Sequence, residues 1–388
     1  MEKKISRREF LKKAAIMGVG LGASALAIDY FLNPTRKSPQ VNLSQSATTL
    51  PEISLKEAKF YESLGDNLVR CALCPNRCVI SEGQRGLCGV RINNNGKLYT
   101  LGYGNPCAVH VDPIEKKPLF HFLPATDAFS IATAGCCLRC KYCQNWQISQ
   151  AKPDETKNFD MPPEEVVDLA KKYNAKSIAY TYTEPTVFFE YMLEISKLAK
   201  KEGIKNIIVT CGYMNPDPLK ELCKYLDGGN VNLKGFSDEF YKNLTQGKLQ
   251  PILDTMEILR DEKKWFEITY LIIPQWSDDD KQIKSFIKWT IENLGVDHPV
   301  HFLRFMPAYK LRNLPPTPPE ILINAREMAL KEGINYVYIG NLSGLDAEST
   351  YCLECKNVLI KRHAFAIIEN NIENGRCKFC NKEIPGFW

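Results

Sequence analysis

Cys136, Cys140 and Cys143 stand in the stretch Gly135-Cys136-Cys137-Leu138-Arg139-Cys140-Lys141-Tyr142-Cys143-Gln144-Asn145, a C-x3-C-x2-C spacing. Iron–sulfur clusters normally take four cysteine ligands, so these three thiolates hold three irons of a [4Fe–4S] cube and leave the fourth open to another ligand. An open iron is a reaction site. Cys137 is adjacent to Cys136, and adjacent residues rarely bind one cube together, so it reads as a buried thiol, as do the isolated Cys107 and Cys223.

Two further groups carry metal-ligand spacing. Cys71-x2-Cys74-x3-Cys78-x9-Cys88 lies among Pro75, Asn76, Gly83, Gly86 and Gly89, with almost no apolar period of its own. Such a segment needs a staple, which one zinc or an auxiliary iron–sulfur cluster supplies; disulfides are a third option outside the cytoplasm. Near the other end, Cys352-x2-Cys355 and Cys377-x2-Cys380 are 21 residues apart. Stretches 358–360 and 365–368 between them read as strands, the layout of a ribbon around one tetrahedral zinc.

The elements that must position these groups alternate. Residues 129–133 read as a buried strand, which puts Cys136, Cys140 and Cys143 on the loop leaving its C-terminal end, where parallel α/β folds place their chemistry. Further strands are expected at 177–182, 206–210, 231–234, 266–273, 300–304 and 336–339. Between them helices are expected through 166–172 (opened by Pro162 and Pro163), at about 186–201, near 216–224, through about 262, near 278–293 and near 319–332. Strands spaced by single helices imply a parallel sheet.

With Tyr142 just before its last cysteine, the loop resembles the signature of the radical S-adenosylmethionine (SAM) superfamily. The words Asp112-Pro113-Ile114-Glu115-Lys116-Lys117-Pro118-Leu119-Phe120-His121-Phe122-Leu123-Pro124 and Cys143-Gln144-Asn145-Trp146-Gln147-Ile148-Ser149-Gln150 resemble the radical SAM member of the AmmeMemoRadiSam systems, a relative of pyruvate formate-lyase activating enzyme. The resemblance runs from about residue 55 to the C-terminus. It implies an α/β fold, an open partial (β/α)6 barrel over 125–345, flanked by a four-cysteine module at 55–124 and a zinc-ribbon-like module at 346–388. It also implies that SAM chelates the open iron and is reductively cleaved to methionine and a 5′-deoxyadenosyl radical, which abstracts hydrogen from a protein glycine or a small molecule.

Site residues follow from the same resemblance. Thr183-Glu184-Pro185 partly matches a Gly-Gly-Glu-Pro-like word that meets the methionine amino group, with Tyr182 and Thr183 replacing the glycines. Thr210-Cys211-Gly212 resembles the activating enzymes' Thr-Asn-Gly, and Asn232-Leu233-Lys234 their Asp-Leu-Lys. Tyr142, Glu184, Asn232 and Lys234 are therefore the candidate SAM contacts; Arg304, Asn341 and His301, at later strand ends, read equally well as core or rim hydrogen-bonding groups. Implied partners are a ferredoxin- or flavodoxin-like electron donor and Memo-like and AMMECR-like proteins. The alternative is an iron–sulfur electron carrier or scaffold without SAM chemistry, but a carrier needs no SAM pocket and usually closes its cluster with a fourth cysteine.

Composition fits an enzyme of more than one domain: 388 residues, 44% hydrophobic and 24% charged. The 50 basic and 45 acidic residues are interspersed, so no basic stripe argues for nucleic acid. Ser6-Arg7-Arg8-Glu9-Phe10-Leu11-Lys12 and the Gly/Ala-rich apolar run 14–28 read as a twin-arginine export signal within 1–30. A Pro- and Ser-containing linker follows over 31–54. An extracytoplasmic or membrane-associated place is thus expected, with the cytoplasm, where SAM and low-potential donors are found, as the alternative.

Overall fold

The computed structural model describes Val41, residues 55–342 and residues 345–388. The export signal and, apart from Val41, the linker lie outside the described residues. Eight strands form the central sheet: Ala108–Pro113 (β1), Asp127–Ala132 (β2), Ser177–Tyr180 (β3), Lys205–Thr210 (β4), Gly228–Leu233 (β5), Trp265–Ile272 (β6), Val300–Arg304 (β7) and Val337–Gly340 (β8). From β2 to β8 every neighbouring pair is parallel and in sequence order. The α/β partial barrel is present, with one parallel strand more than six. β1 adds an antiparallel edge, pairing Val109 with Ile131 and Asp112 with Ala128. Residues 108–113 thus belong to the barrel sheet, and the boundary expected at 124/125 lies earlier in the chain.

Among the described residues the longer helices are Pro163–Lys172 (α1), Phe189–Lys201 (α2), Pro216–Cys223 (α3), Gln250–Asp261 (α4), Asp280–Leu294 (α5) and Pro319–Glu332 (α6). Local chemistry sets their starts. Proline occupies the first turn of α1, α3, α4 and α6, where its missing N–H costs nothing, and the Asp279 carboxylate accepts from Gln282 N (3.0 Å) to open α5. Each turns an apolar stripe inward, as Val166, Val167 and Ala170 do on α1. β5 starts three residues earlier than its apolar run suggests. A Cβ at Gly228 would stand 2.8 Å from Trp265 O, and one at Gly229 2.5 Å from Ile208 O, so glycine there permits close strand packing rather than a turn.

Two small modules cover opposite ends of this barrel. The N-terminal one, built on the antiparallel strands Tyr61–Gly65, Leu68–Cys71 and Val79–Ile80 and the pair Arg91–Asn94 with Lys97–Thr100, sits at the C-terminal ends of the barrel strands. Asn215, after β4, donates from its backbone to Leu73 O (3.0 Å) and from its side chain to Ala72 O (2.7 Å). A fully buried Arg91–Glu190 pair (2.8 Å) clamps the module to α2. The C-terminal ribbon, with strands Val358–His363 (β9) and Ala366–Asn370 (β10), closes the other end. There Arg362 donates to Phe120 O (2.7 Å) and Thr350 Oγ1 (2.7 Å), and its guanidinium lies 4.2 Å from the Phe120 ring centre. Among the described residues no helix is long and apolar enough to cross a membrane.

Candidate active site

The loop leaving β2 carries Cys136, Cys140 and Cys143, and it is tightly pinned. Arg139 N and Lys141 N donate to Thr245 O (2.7 Å) and Leu244 O (2.8 Å), Lys310 N donates to Lys141 O (2.8 Å), and Tyr309 stacks on Trp146 with ring centres 5.2 Å apart. Gly135 has φ of +93°, and a Cβ there would lie 2.6 Å from Cys88 O, so only glycine lets the loop press against the N-terminal module. Leu138 N points at Cys136 Sγ (3.4 Å), and Cys143 Sγ lies 3.2 Å from Ser149 Oγ. Burial pushes the Cys140 thiol well above its ordinary range. The Tyr142 hydroxyl, fully buried, finds no nitrogen or oxygen partner and faces Cys140. Three sulfurs on one rigid, largely buried loop fit a cluster whose irons supply the charge that burial withholds.

Around the loop stand the groups at the ends of β3, β4 and β5. The buried Glu184 carboxylate accepts from Thr210 Oγ1 (2.5 Å) and Thr186 Oγ1 (2.8 Å) on one oxygen and from Cys211 N (2.7 Å) on the other. A carboxylate has about four acceptor positions, so the second oxygen keeps room for a further donor. Burial raises the Glu184 pKa, opposed by these hydrogen bonds. Lys234 Nζ donates to Asn232 Oδ1 (2.6 Å), leaving the other ammonium protons free of side-chain partners on Asn232. Both Glu184 and Lys234 are close enough to influence the charge on Cys211.

A Radical SAM superfamily profile matches residues 130–287. An uncharacterized protein of Methanocaldococcus jannaschii is 47% identical over 332 residues, covering 85% of this chain and 99% of that protein. The chain belongs to the radical SAM superfamily. The pyruvate formate-lyase 1-activating enzyme of Escherichia coli is 29% identical over 150 residues, 38% of this chain, and the match spans 61% of that enzyme's length. Among solved structures, a radical SAM methyltransferase from Sphaerobacter thermophilus is 13% identical, with a TM-score of 0.45 over 86% of this chain and 93% of that one.

In this radical SAM enzyme the remaining candidates fall as follows. His301 is at the start of β7, at the end of the barrel away from the cysteine loop, where Nε2 meets Glu267 Oε2 at 2.6 Å. Glu267 also accepts from Phe120 N and His121 N, so His301 belongs to the buried polar layer under the ribbon, not to a site at a strand's C-terminal end. Arg304 and Asn341 make rim hydrogen bonds, to Thr317 O (2.8 Å) and to Arg304 O (3.3 Å). Cys137 is buried, its thiol within hydrogen-bonding reach of Cys136 and Cys74; those two contacts and burial hold it protonated. The four C-terminal sulfurs, of Cys352, Cys355, Cys377 and Cys380, all lie within 4.8 Å of one another. Cys71, Cys74, Cys78 and Cys88 instead surround a cavity.

Sequence reasoning missed a buried polar group that links β1 to the turn after β3. Tyr182, at φ of +63° after β3, reaches over β2 and donates to the Asp112 carboxylate on β1, which also accepts from Lys116 (2.7 Å) and Lys117 (2.6 Å). Burial opposes charge on Asp112, but the two lysines hold its carboxyl well below the usual range; burial lowers the Lys117 pKa to about 8 against the pull of Asp112. A tyrosine in left-handed backbone is a strained choice, kept here by its hydroxyl contact. The sequence signal was the Asp112-x3-Lys116-Lys117 spacing.

Proposed function

We propose that this radical SAM enzyme reductively cleaves SAM at a [4Fe–4S] cluster held by Cys136, Cys140 and Cys143 and abstracts hydrogen from a protein glycine or a small-molecule substrate. The observation that carries the reading is the convergence of three thiols on one pinned loop with Glu184 and Lys234 at the neighbouring strand ends. When bound, cluster and SAM together supply one electron to the sulfonium and a carbon-centred radical that takes a hydrogen atom from the substrate. The protein's own groups bind and orient. Glu184, with room on one oxygen, accepts from the SAM ammonium; Lys234, steered by Asn232, donates to a carboxylate or ribose oxygen. The loop after β7, through Tyr309 and Lys310, shields the cysteine loop from water.

The C-terminal cysteines hold one zinc in this reading, a ferredoxin- or flavodoxin-like protein supplies electrons, and Memo-like and AMMECR-like proteins are the partners. The N-terminal segment directs twin-arginine export. Glu184→Gln tests the SAM pocket: it keeps the cluster's iron and visible absorption but binds SAM at least tenfold more weakly by equilibrium titration, since only the acceptor charge is removed. Unchanged affinity would remove Glu184 from the pocket.

A further inference from the structure

The cavity at the N-terminal module is lined by Cys71, Cys74, Cys78 and Cys88, with Cys137 and Arg91 completing the wall, and has a free volume of about 20 Å³. Its surface exposes almost only carbon and sulfur. No disulfide joins these cysteines. Arg91 is 2% exposed, and although its terminal nitrogen pairs with Glu190, its Nε has no partner. A buried donor beside four thiols is a group waiting for an acceptor.

Size decides which acceptor. A zinc ion with Zn–S bonds of about 2.3 Å draws four tetrahedral sulfurs to about 3.8 Å from one another. The C-terminal sulfurs meet that, with Cys352–Cys380 at 3.6 Å and Cys355–Cys377 at 3.7 Å. Among the described residues the closeness that marks that group is not met by Cys71, Cys74, Cys78 and Cys88. Their sulfurs line a small cavity without the mutual closeness of the ribbon's four, which suits a multi-iron cube better than a single tetrahedral ion. Four cysteines close such a cube completely, so it offers no open iron and suits electron transfer rather than substrate binding.

We infer that Cys71, Cys74, Cys78 and Cys88 hold a second [4Fe–4S] cluster, with Arg91 Nε donating to it, placed to carry electrons between the surface and the cysteine loop. Cys78 and Cys88 are partly exposed, so the site is open to an external one-electron donor. On the inner side the Cys137 thiol touches both Cys74 and Cys136, and Asn76 Nδ2 donates to Cys137 O (2.7 Å). The step is an outer-sphere transfer: the donor is oxidised by one electron, the cluster is reduced by one and returns to its oxidised form on passing it inward, and no bond or proton moves. The electron role rests on the radical SAM reading; the cluster site does not.

The test uses the whole chain, anaerobically reconstituted with iron and sulfide. Wild type binds about eight irons, four per cube. Cys136→Ala/Cys140→Ala/Cys143→Ala retains half the iron and, when reduced, a paramagnetic signal that SAM does not alter. Cys71→Ala/Cys74→Ala loses the other half and keeps a SAM-responsive signal. Should that variant not fold, Cys78→Ser, at the exposed edge, keeps the iron and shifts only the SAM-insensitive signal. Four irons in wild type and none in the triple variant, with zinc at two equivalents per chain, would overturn the second cluster. Loss of SAM response in wild type, with the triple variant still holding four irons, would instead overturn the SAM reading and leave this site standing. For the electron role, flavodoxin-driven reduction of the SAM-responsive signal slows at least tenfold in Cys71→Ala/Cys74→Ala or, if only it folds, in Cys78→Ser; an unchanged rate would overturn the relay.

Discussion

The two flanking modules each offer four cysteines, yet they arrange them oppositely. At the ribbon the sulfurs converge within 4.8 Å around one point, far from the catalytic loop; at the N-terminal module they line a cavity pressed against that loop through Gly135 and Cys137. The difference teaches that cysteine count and spacing announce a metal site, while the separation of sulfurs in space and the neighbours of the site say what kind.

The comparison breaks most sharply at the ribbon. Cys352→Ser/Cys377→Ser in the full chain should lose one zinc and expose 346–388 to protease, because metal binding supplies folding energy on the order of 10 kcal/mol to so small a unit. Iron content should not change, and a fall in iron would mean that the two modules are not independent. The clamp of the other module is next in size. Arg91→Ala strands Glu190 in the core and should cost about 3–5 kcal/mol in chemical denaturation, whereas Arg91→Met/Glu190→Leu should recover most of it. Equal losses in both would show that the pair is not what holds the module down.

Arg362→Ala should destabilise by about 2–3 kcal/mol, the scale of charged hydrogen bonds lost inside a protein, and loosen the ribbon without altering SAM binding. The smallest effect belongs to Cys137→Ala, which removes a protonated buried thiol and no ligand. Visible absorption and iron should match wild type, and a lost cluster would reassign the ligands.

Much of this was legible in the sequence. Proline-opened helices such as α6 and apolar strands such as β2 announce themselves, because first-turn proline and short buried apolar runs act locally. That Cys136, Cys140 and Cys143 share one loop could be read from their spacing, because so short a stretch can only present them together. β1 was hidden because its partner is antiparallel and its Val109/Val111 alternation sits beside a turn-rich module. The start of β5 was masked by glycines whose reason lies on β4 and β6. His301 falls at the start of the strand expected at 300–304 and takes the core hydrogen-bonding role that was one of its two readings, because its partner Glu267 lies on the neighbouring strand. Arg91, Asn76 and Asn215 act across long stretches of chain, and nothing near them in sequence marks their partners.

The central claim is SAM cleavage by the cluster on the β2 loop, and its most direct test needs no substrate. With fully reconstituted protein, SAM and a strong one-electron reductant, wild type should accumulate 5′-deoxyadenosine and methionine, and Cys140→Ala should form neither. A fully loaded wild-type cluster that yields no 5′-deoxyadenosine, or equal yield from Cys140→Ala, would contradict the account.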